Sequence, residues 1–170
     1  MTINPNNAQK LFYSFRQFVL IVSILLSLPT FADELTNALT AYEEGNYTAA
    51  HEQFTQLAFR NNTEAQYNLA FMYFGGDGIP KNDAKAAYLF EKAAKLAHSG
   101  AQDKLAYFYL HGLGVNADQV QAYAWYRVAA ENGVFLAENI SKSLKQKMNT
   151  EEAIHADLLS VEYIKKYKEK

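Results

Sequence analysis

Ala65-Gln-Tyr-Asn-Leu-Ala-Phe-Met-Tyr73 is followed, 36 residues on, by Ala101-Gln-Asp-Lys-Leu-Ala-Tyr-Phe-Tyr109. The likeness continues past both stretches. Gly76 and Gly78 return as Gly112 and Gly114, Ile79 as Val115, and Ala93-Ala94 as Ala129-Ala130. Self-similarity at a fixed period of this size means a small unit repeated side by side, because one unit cannot bury its apolar face alone. The stretch from Ala65 to Gly133 therefore sets the architecture.

The same period reaches backward. Asn46, Asn82 and Asp118 form one series, and Ala50, Ala86 and Ala122 a second. Phe54, Phe90 and Tyr126 form a third, and Ala58, Ala94 and Ala130 a fourth. Asn and Asp suit a helix N-cap, where a side-chain oxygen takes a bond from a free backbone N–H. Asp118 with Gln121 three residues later reads as a capping-box pair. After each cap the apolar residues fall at helical spacing. The alanines permit close helix approach and the aromatics fill the space between, so Trp125 and Tyr126 read as core. In the first unit Gly45 reads as the left-handed residue that ends a helix.

The turns inside the two later units are Gly75-Gly-Asp-Gly-Ile-Pro-Lys-Asn82 and His111-Gly-Leu-Gly-Val-Asn-Ala-Asp118. Ile79 and Val115 are apolar within polar loops and are expected to plug back between their helices. No strand precedes either Gly-x-Gly, and the Lys-Ser/Thr spacing of a phosphate loop is missing, so both read as structural turns.

This pattern of Ala-Gln, Leu-Ala, Gly-x-Gly-Ile/Val, an Asn or Asp cap and a closing Ala-Ala resembles the Sel-1-like repeat, a relative of the tetratricopeptide repeats. The resemblance implies an all-α fold, a superhelical solenoid of antiparallel helix pairs. It also implies protein–protein contact as the function, often in bacterial envelope and signalling systems. Ala97 stands where the family usually has the glycine that ends the second helix, and His98-Ser99-Gly100 is expected to shift that stop. The domain reading is a signal peptide at 1–32, a first helix pair at 33–61, repeats at 65–100 and 101–136, and capping helices at 137–170. The final helix is expected to bury Ala153, Ile154, Leu158, Val161 and Ile164, with Tyr167 as a further candidate, and to turn a polar face outward, as terminal repeats require.

Residues 1–32 carry the marks of a secretory signal. Lys10 and Arg16 are the only charges, and the run Phe18 to Leu28 is 11 residues long. About 20 apolar residues are needed to span a bilayer. Pro29 breaks the run, and Thr30-Phe31-Ala32 offers small residues for cleavage after Ala32. The alternative is an uncleaved anchor. The expected location is the periplasm or outside the cell, with no integral membrane segment after cleavage.

Composition narrows the chemistry. The 170-residue chain has no cysteine, so disulfides, thiolate metal sites and cysteine nucleophiles are all absent. A net charge of −2 gives no electrostatic case for nucleic acid. His51, His98, His111 and His155 show no metal-ligand spacing, and no nucleophile elbow occurs. His51 reads as a surface residue. No catalytic, cofactor or metal residues are expected, and the chain reads as a non-enzyme. The competing reading is a cell-wall or β-lactam hydrolase related to cysteine-rich members of the repeat family, which the missing cysteine and missing catalytic constellation disfavour.

By analogy with tetratricopeptide arrays, the first helix of each pair lines the concave face. That face is expected to receive Tyr67, Asn68, Phe71 and Phe74 from one unit. Lys104, Tyr107, Leu110 and His111 come from the next. Rigid aromatics with a few polar groups suit a protein or peptide partner. The competing role for Phe71 and Tyr107 is packing against the neighbouring helix.

Overall fold

The computed structural model describes residues 31–168. Residues 1–30 of the expected signal segment lie outside them. The repeats fall within one compact unit, Leu35–Lys170. Among the described residues there are eight helices and no strand. They are α1 (Phe31–Glu43), α2 (Tyr47–Phe59), α3 (Thr63–Gly75) and α4 (Asp83–Lys95), then α5 (Ser99–His111), α6 (Gln119–Glu131), α7 (Phe135–Lys145) and α8 (Thr150–Tyr167). The fold is the all-α array of helix pairs that the 36-residue spacing requires. Helices α1 to α6 each have 13 residues. At 1.5 Å rise each is about 20 Å long, so successive pairs stack with matched height.

The caps repeat with the sequence. Asn46, Asn82 and Asp118 accept from Ala49, Lys85 and both Val120 and Gln121, at 2.9–3.3 Å. The reciprocal half of the capping box at Asp118 is not made. The Asp118 N–H goes to the Tyr109 carbonyl, and Gln121 Oε1 instead accepts from the Tyr163 hydroxyl. The first helices have their own series at the same period. Asn62 accepts from Ala65 and His98 Nδ1 from Ala101, while Val134 gives no side-chain bond.

The second helices stop in a shared way. Asn61, Ala97 and Gly133, again 36 apart, have φ of +62°, +66° and +89°. Each closes the last turn with paired backbone bonds; His98 N donates to Ala93 O and Ala97 N to Ala94 O. The stop is therefore not displaced into His98-Ser99-Gly100. The repeat geometry overrides the missing glycine, and Ala97 carries the left-handed strain. Gly45 ends α1 as expected, at φ +77° with the same pair of bonds. Ala97→Gly should stabilise the fold by about 1 kcal/mol, the left-handed strain relieved less the added freedom of the unfolded chain. Thermal denaturation should rise by about 2–4 °C; no rise would mean that Ala97 is not strained.

The core is alanine and aromatic rings in register. Ala50, Ala86 and Ala122 are fully buried, as are Phe54 and Phe90, with Tyr126 nearly so. Trp125 is buried and stacks on Tyr167 with ring centroids 5.2 Å apart. Ile79 and Val115 are only half-buried. Ile79 packs against the cluster of α1, α2 and α3, and Val115 against the larger cluster that follows. His51 is not a free surface residue; it is half-buried with Nε2 3.3 Å from the Tyr73 hydroxyl.

Helix α8 departs from its expected orientation. Tyr167 is buried and Ala153 and Ile164 are half-buried as expected, but Ile154, Leu158 and Val161 face out, and Ala156 and Ser160 are buried in their place. Two small residues one turn apart allow α8 to approach α6 closely, and Tyr163 and Tyr167 then meet Trp125. Gln102 and Asn132 donate to the Tyr167 carbonyl at 3.0 and 3.3 Å, which fixes the rotation. The outer face of this end helix is thus apolar along one line rather than wholly polar.

Candidate partner-binding face

Helix α3 places Tyr67, Asn68, Phe71 and Phe74 by helical spacing, and α5 does the same for Lys104, Tyr107, Leu110 and His111. An aromatic chain ties the two helices through α4. Tyr67 meets Phe71 at 4.8 Å, Phe71 meets Phe90, Phe90 meets Phe108, and Phe108 meets Phe74, the last three at 5.2 Å. Edge contacts of this kind add about 0.5–1.5 kcal/mol each beyond burial. Phe71 and Phe74 are thereby half-buried packing groups, with the Lys81 ammonium 5.1 Å from the Phe74 ring centroid.

Tyr67 is drawn in too. It stacks on His98 at 4.5 Å, and burial, with the nearby Glu64 carboxylate, pushes its hydroxyl pKa up. His98 accepts from Ala101 through Nδ1, so its Nε2 carries the proton and donates to Glu64 at 3.0 Å. The Asn68 amide donates within its own helix, to the Glu64 carbonyl at 2.8 Å and to the Glu64 carboxylate at 3.2 Å. Glu64, Tyr67, Asn68 and His98 form one mutually satisfied group at the junction of two units. Glu64 and His98 were not foreseen as members; their 34-residue separation gave no local signal.

Helix α5 stays more open. Tyr107 occupies the place that Phe71 holds one unit earlier. Tyr67 covers Phe71, but its counterpart is Asp103, which is too short to cover Tyr107. Tyr107 is 40% exposed and its ring tilts over His111 at 4.3 Å. Lys104 lies 3.4 Å from Asp103. Below them Tyr126 is buried, and this burial, with Asp103 next, holds its hydroxyl up at about 12. Leu110 is half-buried against the core. Lys104, Tyr107 and His111 are thus the members most available to another molecule. Among the described residues, no group of three or more His, Asp or Glu is placed to hold a metal ion. None of the described helices is long and apolar enough to cross a membrane.

Helix pairs stacked in register, closed by Gly-x-Gly turns, define an α-solenoid repeat protein. Residues 63–98 and 99–134 each match the Sel1 repeat model, and these units belong to the Sel1 repeat family. Solved relatives carry the same architecture. A protective antigen present in uropathogenic Escherichia coli strains, displaying an SLR fold, superposes with a TM-score of 0.76 at 30% identity, covering 81% of this chain and 30% of the antigen. A Sel1 repeat protein from Oxalobacter formigenes gives 0.61 at 26% identity, covering 66% and 88%. Among curated proteins, the chitin synthase regulator SKT5 of Saccharomyces cerevisiae is 33% identical over 101 residues, 54% of this chain and 14% of the regulator. Protein sel-1 homolog 2 of Mus musculus is 33% identical over 93 residues, 55% and 14%. The chain spans only about a seventh of either curated relative's length.

Proposed function

We propose that this chain is an exported, non-enzymatic adaptor that holds a protein or peptide partner along the face made by α3 and α5. The observation that carries this reading is the open end of that face on α5. A half-exposed Tyr107 is held firm by His111 beside it and Phe108 beneath it, with Lys104 one turn away. A rigid aromatic with polar groups around it loses little entropy on contact, which is the make-up of interaction hot spots. The family membership supports it, since Sel1 repeats serve as interaction scaffolds. The regulatory role printed for the chitin synthase relative is of the same kind.

Export rests on the positively charged, apolar leader. Cleavage after Ala32 would leave Asp33 as the first residue, within the first turn of α1. Mass spectrometry of the N-terminal peptide after export decides this point. The binding face is tested by crosslinking the protein in periplasmic extract. Lys104→Ala, Tyr107→Ala and His111→Ala are combined in the comparison chain. Tyr67 is left in place because it holds His98. Capture by the variant is expected to fall at least about tenfold, the effect of one lost hot spot, with unchanged circular dichroism. Equal capture would remove the face assignment, and no specific capture by the wild type would remove the adaptor reading.

A further inference from the structure

The outward side of α8 carries a line that the rest of the fold leaves uncovered. Ile154, Leu158 and Val161 are 58%, 67% and 66% exposed. They are spaced four and three residues apart, the spacing of a helix-packing seam. Glu151 stands three residues before the line and Lys165 four residues after it. Among the described residues neither makes an ion pair within the chain. The line cannot be turned inward, because Ala156, Ser160, Tyr163 and Tyr167 on the opposite side of the same helix are already packed.

We propose that this line is the interface between two copies of the chain, with α8 packed antiparallel on α8 about a two-fold axis through Leu158. A two-fold interface must be its own complement. Here it is. Antiparallel pairing about Leu158 sets Leu158 on Leu158 and Glu151 of each copy on Lys165 of the other, with Ile154 within one residue's rise along the axis, about 1.5 Å, of the other copy's Val161. On one flank His155 comes within the same rise of Glu162. Parallel pairing sets Glu151 on Glu151 and Lys165 on Lys165, which like-charge repulsion disfavours. The seam from Glu151 to Lys165 is about 21 Å long at 1.5 Å per residue. A single-helix contact of that length falls short of the roughly 800 Å² per partner of a standard stable interface. The dimer is therefore concentration-dependent, and its seam uses none of the residues named on α3 and α5.

Sedimentation equilibrium of the full chain, over about 10 µM to 1 mM, covers the range in which a weak interface fills. The wild type should pass from monomer to dimer. Leu158→Lys should remain monomeric throughout with unchanged helicity, since the side chain is mostly solvated; Val161→Lys is the second variant if helicity changes. Lys165→Glu sets Glu against Glu at both ends and should weaken the dimer about tenfold. Adding Glu151→Lys to it should restore the dimer. A wild type that stays monomeric overturns the proposal, as does a dimer unaffected by the folded lysine variant. Failure of the double swap to recover overturns the antiparallel pairing.

Discussion

Gly114→Ala is expected to lower stability by about 3–4 kcal/mol, a fall in melting temperature of roughly 10 °C. Two costs add. Gly114 has φ +65°, a conformation that costs a residue with a Cβ about 1–2 kcal/mol. A Cβ built there would also lie 2.3 Å from both the carbonyl carbon and oxygen of Asp83, and 2.5 Å from Ala84 N. Those are backbone atoms in the first turn of α4, so no side chain can swing aside. The same relation holds one unit earlier, where a Cβ on Gly78 would lie 2.3 Å from the Cβ of Tyr47, the first residue of α2. Tyr47 and Asp83 are themselves 36 residues apart. The second glycine of each Gly-x-Gly is thus a foot on which one repeat stands against the previous one. Gly133→Ala is the control. It has φ +89° but nothing within 4 Å of the added carbon, so only the backbone cost applies, about 1 kcal/mol once the reduced freedom of the unfolded chain is subtracted. Equal losses at Gly114 and Gly133 would show that the inter-repeat contact contributes nothing.

That function of the glycines was only half legible in the sequence. Their period and the absence of a phosphate-loop context identified turns, but a close approach between repeats needs coordinates. The caps at Asn46, Asn82 and Asp118 were legible because Asn and Asp act locally. His98 was not, because its role as a cap depends on Glu64 arriving from the preceding repeat to fix the ring. The rotation of α8 was hidden for a different reason. Counting apolar residues favoured the Ile154–Leu158–Val161 side, whereas close packing favoured the side with Ala156 and Ser160. Small residues win there because they let two tyrosine rings reach Trp125. On the candidate face, helical spacing named eight positions but could not rank their exposure. Tyr107 is open and Phe71 covered because of a single difference, Asp103 in place of Tyr67.

Gln102→Leu is expected to cost about 2–3 kcal/mol, although it places an apolar residue in an apolar core. Gln102 is fully buried and joins three elements. Its amide donates to the Ala94 carbonyl at 3.1 Å and to the Tyr167 carbonyl at 3.0 Å, while its oxygen accepts from Asn132 at 2.8 Å. Leucine would take away one donor of the Ala94 carbonyl, which keeps the Ala97 N–H, remove the Asn132 acceptor, and halve the hold on the end of α8; three lost bonds at about 1 kcal/mol each give the expected cost. Gln66 is the same residue one repeat earlier and equally buried, yet it makes a single bond, to the Ala58 carbonyl at 3.2 Å. Its Oε1 is buried without a partner. The cause lies at the position equivalent to Asn132, which is Leu96. The backbones there match, with φ −95° at both and ψ 22° and 19°. Gln66→Leu should therefore cost about 1 kcal/mol or less, the size of one ordinary hydrogen bond. Leu96→Asn should raise stability by about the same amount by giving Gln66 its missing donor. Leu96 is half exposed, so little apolar burial is lost. Urea titration of the three variants orders them directly. Equal losses at Gln66 and Gln102 would mean that the network around Tyr167 does not secure α8 and that its end is held by ring contacts alone; no gain at Leu96 would mean that an Asn there does not reach Gln66.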